Sequence, residues 1–191
     1  MDGKQLTKTL YGQSIKSRWL SIAEYLVLFG VGIIAILLHS RLKSPIGIPG
    51  HHGLEFMALM MAGRTASKIP WASSISSLGI GLVLLFPVFG FKDPFMGMSY
   101  MLPGFMIDVF FNLSRQLKWQ MLILAFASGL AYFTIPLSRV LIHAVSGYPY
   151  SSFIKYGYVI PLVSFFLFGM AGGIVGTGVT QSIVKYFRKR S

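Results

Sequence analysis

His51 and His52 stand side by side, and Glu55 follows three residues after the second histidine. Two imidazoles and a carboxylate this close could converge on a polar head group, donating to it and accepting from it, or hold a metal ion. HHxxE does not place two histidines four residues apart on one helix face, so it lacks the helical zinc motif, and no metal is expected. If a helix begins near Gly53, Glu55 falls in its first turn, where the partial positive charge favours a carboxylate. The plainer alternative is a helix-start carboxylate beside two interfacial histidines. With no cysteine in the chain, there is no thiolate nucleophile, no disulfide and no cysteine-held zinc or iron–sulfur centre. No Walker A, dinucleotide fingerprint, HExxH or nucleophile elbow occurs, so the expectation is a protein that is not an enzyme and has no cofactor.

The elements that must position these residues are apolar runs. Of 191 residues 54% are hydrophobic and only 12% are charged, about half the charge of a soluble domain, which leaves too little polar surface to cover a core. A bilayer is the implied solvent. Residues 1–18 are a polar, basic start, and 19–38 form an uncleaved first span ending in HSRLKSP. The second run, LEFMALMMAG, is the weakest; Arg64 and Lys68 can snorkel and extend it over 53–68. Further spans are expected over about 71–91, 95–113, 119–138 and 157–184, and none shows the alternation of a membrane strand. The reading is an all-α membrane protein, one domain over 1–191, built as a bundle of about six transmembrane helices.

The formal charge is +12, but the basic residues sit at the ends of apolar runs, which fits lipid headgroups and not nucleic acid. With both termini inside, Lys4, Lys8, Lys16, Arg18, Arg64, Lys68, Arg115, Lys118, Lys185, Arg188, Lys189 and Arg190 share the inner side. Arg41, Lys43, Lys92, Arg139 and Lys155 then fall outside, so the positive-inside rule selects N-in, C-in. All four histidines fall outside as well. The loops 39–53, 91–95 and 139–156 share that face, and a proline- and glycine-punctuated first loop is more often a binding loop than a simple turn. Their polar residues His51, His52, Glu55, Lys92, Asp93 and His143 are the candidate substrate contacts, with Tyr100 and Phe95 as flat apolar walls. Pro87 and the Pro103–Gly104 pair make the outer halves of the third and fourth spans candidate cavity walls. Glu24, Asp108 and Gly173 lie on the inner half, as an inner-face ion pair or water contact or as docking contacts for a partner. Small residues four apart, Ala58 and Ala62, Ala125 and Gly129, Gly169 and Gly173, Gly172 and Gly176, suit close helix approach.

The stretches IGIPGHHGLEFMALMMAGR (46–64), LLFPVFG (84–90) and LPGFMIDVFFN (102–112), with the whole topology, resemble the substrate-binding S components of the energy-coupling-factor importers. The resemblance implies a six-helix bundle in a prokaryotic plasma membrane with an outward-facing site for a small micronutrient. It also implies docking through helix 1 onto a transmembrane coupling subunit with two ATPase subunits. Where that family has an AxxxA pattern on helix 1, this chain offers Ser17 and Ser21. Two other classes stay open: a structural or assembly subunit, and an intramembrane enzyme using His51, His52, Glu55 and Asp108.

Overall fold

The computed structural model describes residues 3–42, 47–86, 93–115 and 120–189, with side chains from residue 19 onward. These form seven helices: α1 Gly3–Arg41, α2 Gly53–Ala66, α3 Ala72–Leu84, α4 Met96–Ser114, α5 Gln120–Ser146, α6 Ser151–Tyr156 and α7 Val159–Arg188. No strand occurs among the described residues. Among the described residues, three segments are long and apolar enough to cross a membrane: Trp19–Arg41 in α1, Gln120–Ser146 and Val159–Arg188. Large apolar side chains such as Trp19, Leu26, Leu122, Phe126, Leu167, Val179 and Ile183 stand exposed along these three helices. A water-soluble chain would bury them, and lipid leaves them where they are. The chain is a helical membrane protein.

Helices α1, α3, α4, α5 and α7 surround α2, which touches each of them. The apolar run that is weakest in sequence is therefore the central helix. Its 14 residues rise about 21 Å, short of a hydrocarbon core of about 30 Å. Protein side chains surround it in place of lipid, so it needs neither the length nor the hydrophobicity of a lipid-facing span. Phe56, Met57, Met60 and Met61 are buried there, and the flexible methionines fill the irregular space between five neighbours. Glycines let those neighbours close in. A Cβ on Gly172 would meet the Gly53 and Leu54 carbonyls of α2, and one on Gly173 would collide with Ser128 of α5.

Several expected boundaries move. The run 119–138 continues as helix to Ser146, so the segment 139–156 is helix, a short link and α6, not one loop. Pro136 lies inside α5 and does not end it; near it Thr134 Oγ1 donates to Ala131 O at 2.6 Å, and Ser138 Oγ to Ile135 O at 2.8 Å. Helix α3 stops at Leu84, while Pro87 and Lys92 lie outside the described residues.

At one end of the bundle Arg64 turns inward, where snorkelling would have sent it outward. It is 1% exposed and its Nε lies 2.9 Å from Asp108 Oδ1. Asp108 also accepts the Ser73 and Ser74 N–H groups at 3.2 and 2.6 Å and the Ser74 hydroxyl at 2.7 Å. Helix α3 has no cap from its own Trp71, so a carboxylate from α4 satisfies its first free N–H groups. Both carboxylates read as inner-half groups are thus held within the chain, Glu24 by a 2.6 Å bond from Ser67 Oγ.

Candidate functional site

The opposite end carries the C-terminal turns of α1 and α5, the N-terminal turns of α2, α4 and α7, and the short α6. Between them opens a cavity of about 390 Å³ whose lining includes His39, His51, His52, Tyr100, Arg139 and Phe165. The volume sits near the lower bound of about 300 Å³ for small-molecule sites.

The segment IPGHHG is shaped by what lies beneath it. Tyr132 and Phe165 stack with centroids 4.8 Å apart and planes 16° from parallel. Gly50 has φ +81°, and a Cβ there would enter the Phe165 ring; a Cβ on Gly53 would run into Tyr132. Only glycines let the chain lie on this ring pair, one of them also in a left-handed conformation. The turn that results sends both imidazoles to the cavity, with ring centroids 3.9 Å apart. His51 Nδ1–H donates to Ile48 O at 2.6 Å, and His52 Nδ1–H donates to Glu55 Oε1 at 2.6 Å. Glu55 therefore stands behind His52 and orients it.

From the walls come His39 of α1, whose Nε2 shares a 2.9 Å hydrogen bond with Tyr100 Oη of α4, and Arg139 of α5. His39 meets the His52, Phe56 and Tyr100 rings edge-on at 5.1, 5.9 and 5.1 Å. Arg139 lies 5.7 and 5.4 Å from the Tyr100 and Tyr150 ring centroids, and its Nη2 is 3.9 Å from Asp93 Oδ2. Burial pushes the Tyr150 phenol up to about 12, with the Asp93 charge adding to it. The phenol stays protonated, and its buried Oη has no partner. Across the mouth, Tyr156 Oη donates to Gly47 O at 2.6 Å, tying α6 to the first loop.

Buried polar atoms without partners concentrate here: His39 Nδ1, His51 Nε2 and Arg139 Nε in the lining, and Asp93 Oδ2, Tyr132 Oη and Tyr150 Oη beside it. Native interiors leave few such atoms, so their gathering around one cavity asks for an occupant. A second cavity of about 380 Å³ opens at the other end near Gln120, Gln181, Lys185 and Arg188. Thr177 Oγ1 is the one such atom in its lining among the described residues. Among the described residues, no three of His, Asp and Glu are arranged to hold a metal ion.

Of the residues expected from sequence, His51, His52 and Tyr100 line the cavity. Glu55 and Asp93 stand behind lining groups. Phe95 packs edge-on against Tyr148, and His143 Nδ1–H donates to Tyr148 O at 2.9 Å, so neither reaches the lining. Lys92 lies outside the described residues, as does the Ser17 side chain. α3 contributes nothing to this cavity and α4 contributes Tyr100, but the two helices together line a separate apolar cavity of about 640 Å³, with Leu78, Gly81 and Leu82 facing Gly97, Met98 and Met101. Of the expected docking residues, Glu24 is half-buried in an apolar groove beside α2 and α7, Ser21 is exposed on α1, and Asp108 and Gly173 are buried.

His39, Arg139 and Phe165 were missed as site residues, and helical spacing carried a signal for the first two. His39 follows the buried Leu28, Ala35 and Ile36 on one face of α1, and Arg139 lies seven residues after the buried Tyr132. Comparison with family models, curated proteins and solved structures gives no match.

Proposed function

We propose that this chain is the membrane-embedded solute-binding subunit of an energy-coupled importer of the S-component kind. It spans a prokaryotic plasma membrane about six times with both termini inside. It captures a small micronutrient on the outer face and hands it to a transmembrane coupling subunit driven by two ATPases. The observation that carries the reading is the cavity, of small-molecule size, with aromatic walls and unpartnered imidazole and guanidinium atoms. Its position at the end away from most of the basic residues fits an outward-facing site.

Native mass spectrometry of the full chain, expressed in cells on rich medium and released from mild detergent, tests it. One retained small molecule is expected, lost in His52→Ala. A chain with no adduct, and with no thermal stabilisation by any water-soluble vitamin, would overturn the reading and favour a structural subunit.

A further inference from the structure

We infer that the cavity takes a small organic oxyanion, a carboxylate or phosphate ester, seated on Arg139 with its flat body against Tyr100 and Phe165. This rests on the solute-binding reading and adds the charge class of the solute.

Two arginines, one buried and one half-buried, show why. Arg64 Nε also lacks a hydrogen-bond partner, but it stands 2.9 Å from Asp108 Oδ1 in a close ion pair, while the Nη groups donate to the Ile69 carbonyl at 3.0 Å and Asn112 Oδ1 at 3.3 Å and the Phe111 ring lies 3.8 Å from the guanidinium carbon. Arg139 presents the same five N–H donors from a side chain that is 15% exposed. Its Nε has no partner, and its carboxylate neighbour stands 3.9 Å away, beyond hydrogen-bond reach. That neighbour, Asp93 Oδ2, is itself buried without a hydrogen-bond partner. The pair compensates charge without engaging the guanidinium fork, and a carboxylate or a phosphate, offering two oxygens side by side, engages such a fork with two parallel bonds.

The rest of the lining is consistent in sign. Lys155 and three histidines border the cavity, whereas Glu55 and Asp93 stand behind His52 and Arg139 and do not line it. His51 commits Nδ1–H to a carbonyl, and its buried Nε2 remains free to donate or accept, as does His39 Nδ1. A cationic solute would meet Arg139 and Lys155 in a lining that, among the described residues, holds no carboxylate. Phe165 and Tyr100 line the cavity and supply the apolar contact a flat body needs.

The test is ligand-titrated thermal unfolding of the full chain in detergent. Its probes are matched pairs: nicotinate and nicotinamide, pyridoxal 5′-phosphate and pyridoxal, then biotin, pantothenate and thiamine, plus any compound retained through purification. At least one carboxylate or phosphate ester is expected to raise the unfolding temperature where its neutral counterpart does not, and which pair responds separates the two sources of the oxyanion. Arg139→Gln should weaken that binding at least tenfold, while Lys68→Gln at the other end leaves it unchanged. Lys155 is exposed, so Lys155→Gln folds in any case, and it should weaken the same anion about two- to fivefold. A neutral or cationic compound bound equally by the wild type, Arg139→Gln and Lys155→Gln would overturn the oxyanion and leave solute binding standing. No compound bound and none retained would defeat the solute-binding reading and this inference with it.

Discussion

Asp108 makes four contacts at once: an ion pair with Arg64, two backbone N–H groups at the start of α3 and the Ser74 hydroxyl. Removing it strands a buried guanidinium, which typically costs about 3–5 kcal/mol, whereas replacing both partners by apolar groups is often near neutral. Asp108→Ala should therefore lower the unfolding midpoint in detergent strongly, and Arg64→Met with Asp108→Leu should recover most of the loss. Because the cavity is at the other end, folded Asp108→Ala protein should keep its solute affinity; loss of affinity at full stability would contradict this division. At the cavity, Glu55 acts through His52. Glu55→Ala leaves the Nδ1–H without an acceptor and the ring free to turn, a penalty of about 1–3 kcal/mol, so affinity should fall roughly ten- to hundredfold. Calorimetry with the retained compound reads this directly, and unchanged affinity would mean that His52 is held by its neighbours alone.

Helix α7 carries small residues on two faces: Gly169 and Gly173 meet α5, while Gly172 and Gly176 meet α2. The small-residue spacing seen in sequence is thus used inside the chain, to bring three helices to backbone contact where lipid supplies no hydrophobic drive. Gly176→Leu would push into the Ala58 carbonyl, and Gly178, with nothing within 4 Å, is its control. The first should lose about 1–3 kcal/mol by overpacking and the second should stay within about 0.5 kcal/mol, measured by thermal unfolding. Equal effects would rule out the α2–α7 seam as the reason for the glycine. The α6 strap offers a gentler test. Tyr156→Phe removes the bond to Gly47 O, worth about 0.5–1.5 kcal/mol, and should speed solute release roughly two- to tenfold in a stopped-flow or filter assay, with little change in stability.

At the scale of the molecule, the two ends differ in chemistry. One holds the cavity, the histidines and α6; the other holds Arg64, Lys68, Arg115 and the basic tail of α7. If the positive-inside rule orients the bundle, single cysteines at Ser40 and Ser151 should react with an impermeant thiol reagent on intact cells, and ones at Lys68 and Arg115 only after permeabilisation. All four positions are exposed and the native chain has no cysteine, so accessibility and background do not blur the readout. The reverse pattern would place the cavity on the inner face and remove the basis for an outward-facing importer site.

Composition alone determined the solvent, because 12% charge cannot cover 54% apolar residues. Hydrophobic runs likewise located most of the helices, since a helix satisfies every backbone group within its own segment and leaves membrane-embedded chain few alternatives. The HHxxE cluster was visible because its members are neighbours in sequence. Which helix sits at the centre was not visible, because hydropathy measures fitness for lipid and α2 is surrounded by protein. Nor was Arg139, read as an outer loop charge: α5 carries on as helix past Pro136, and the place of Arg139 in the cavity depends on Tyr100, 39 residues earlier and on another helix. His39 joins His52 and Tyr100 only when α1, α2 and α4 meet. Sequence proximity fixes what one turn of chain can bring together, and a site drawn from several helices exists only once the bundle has closed.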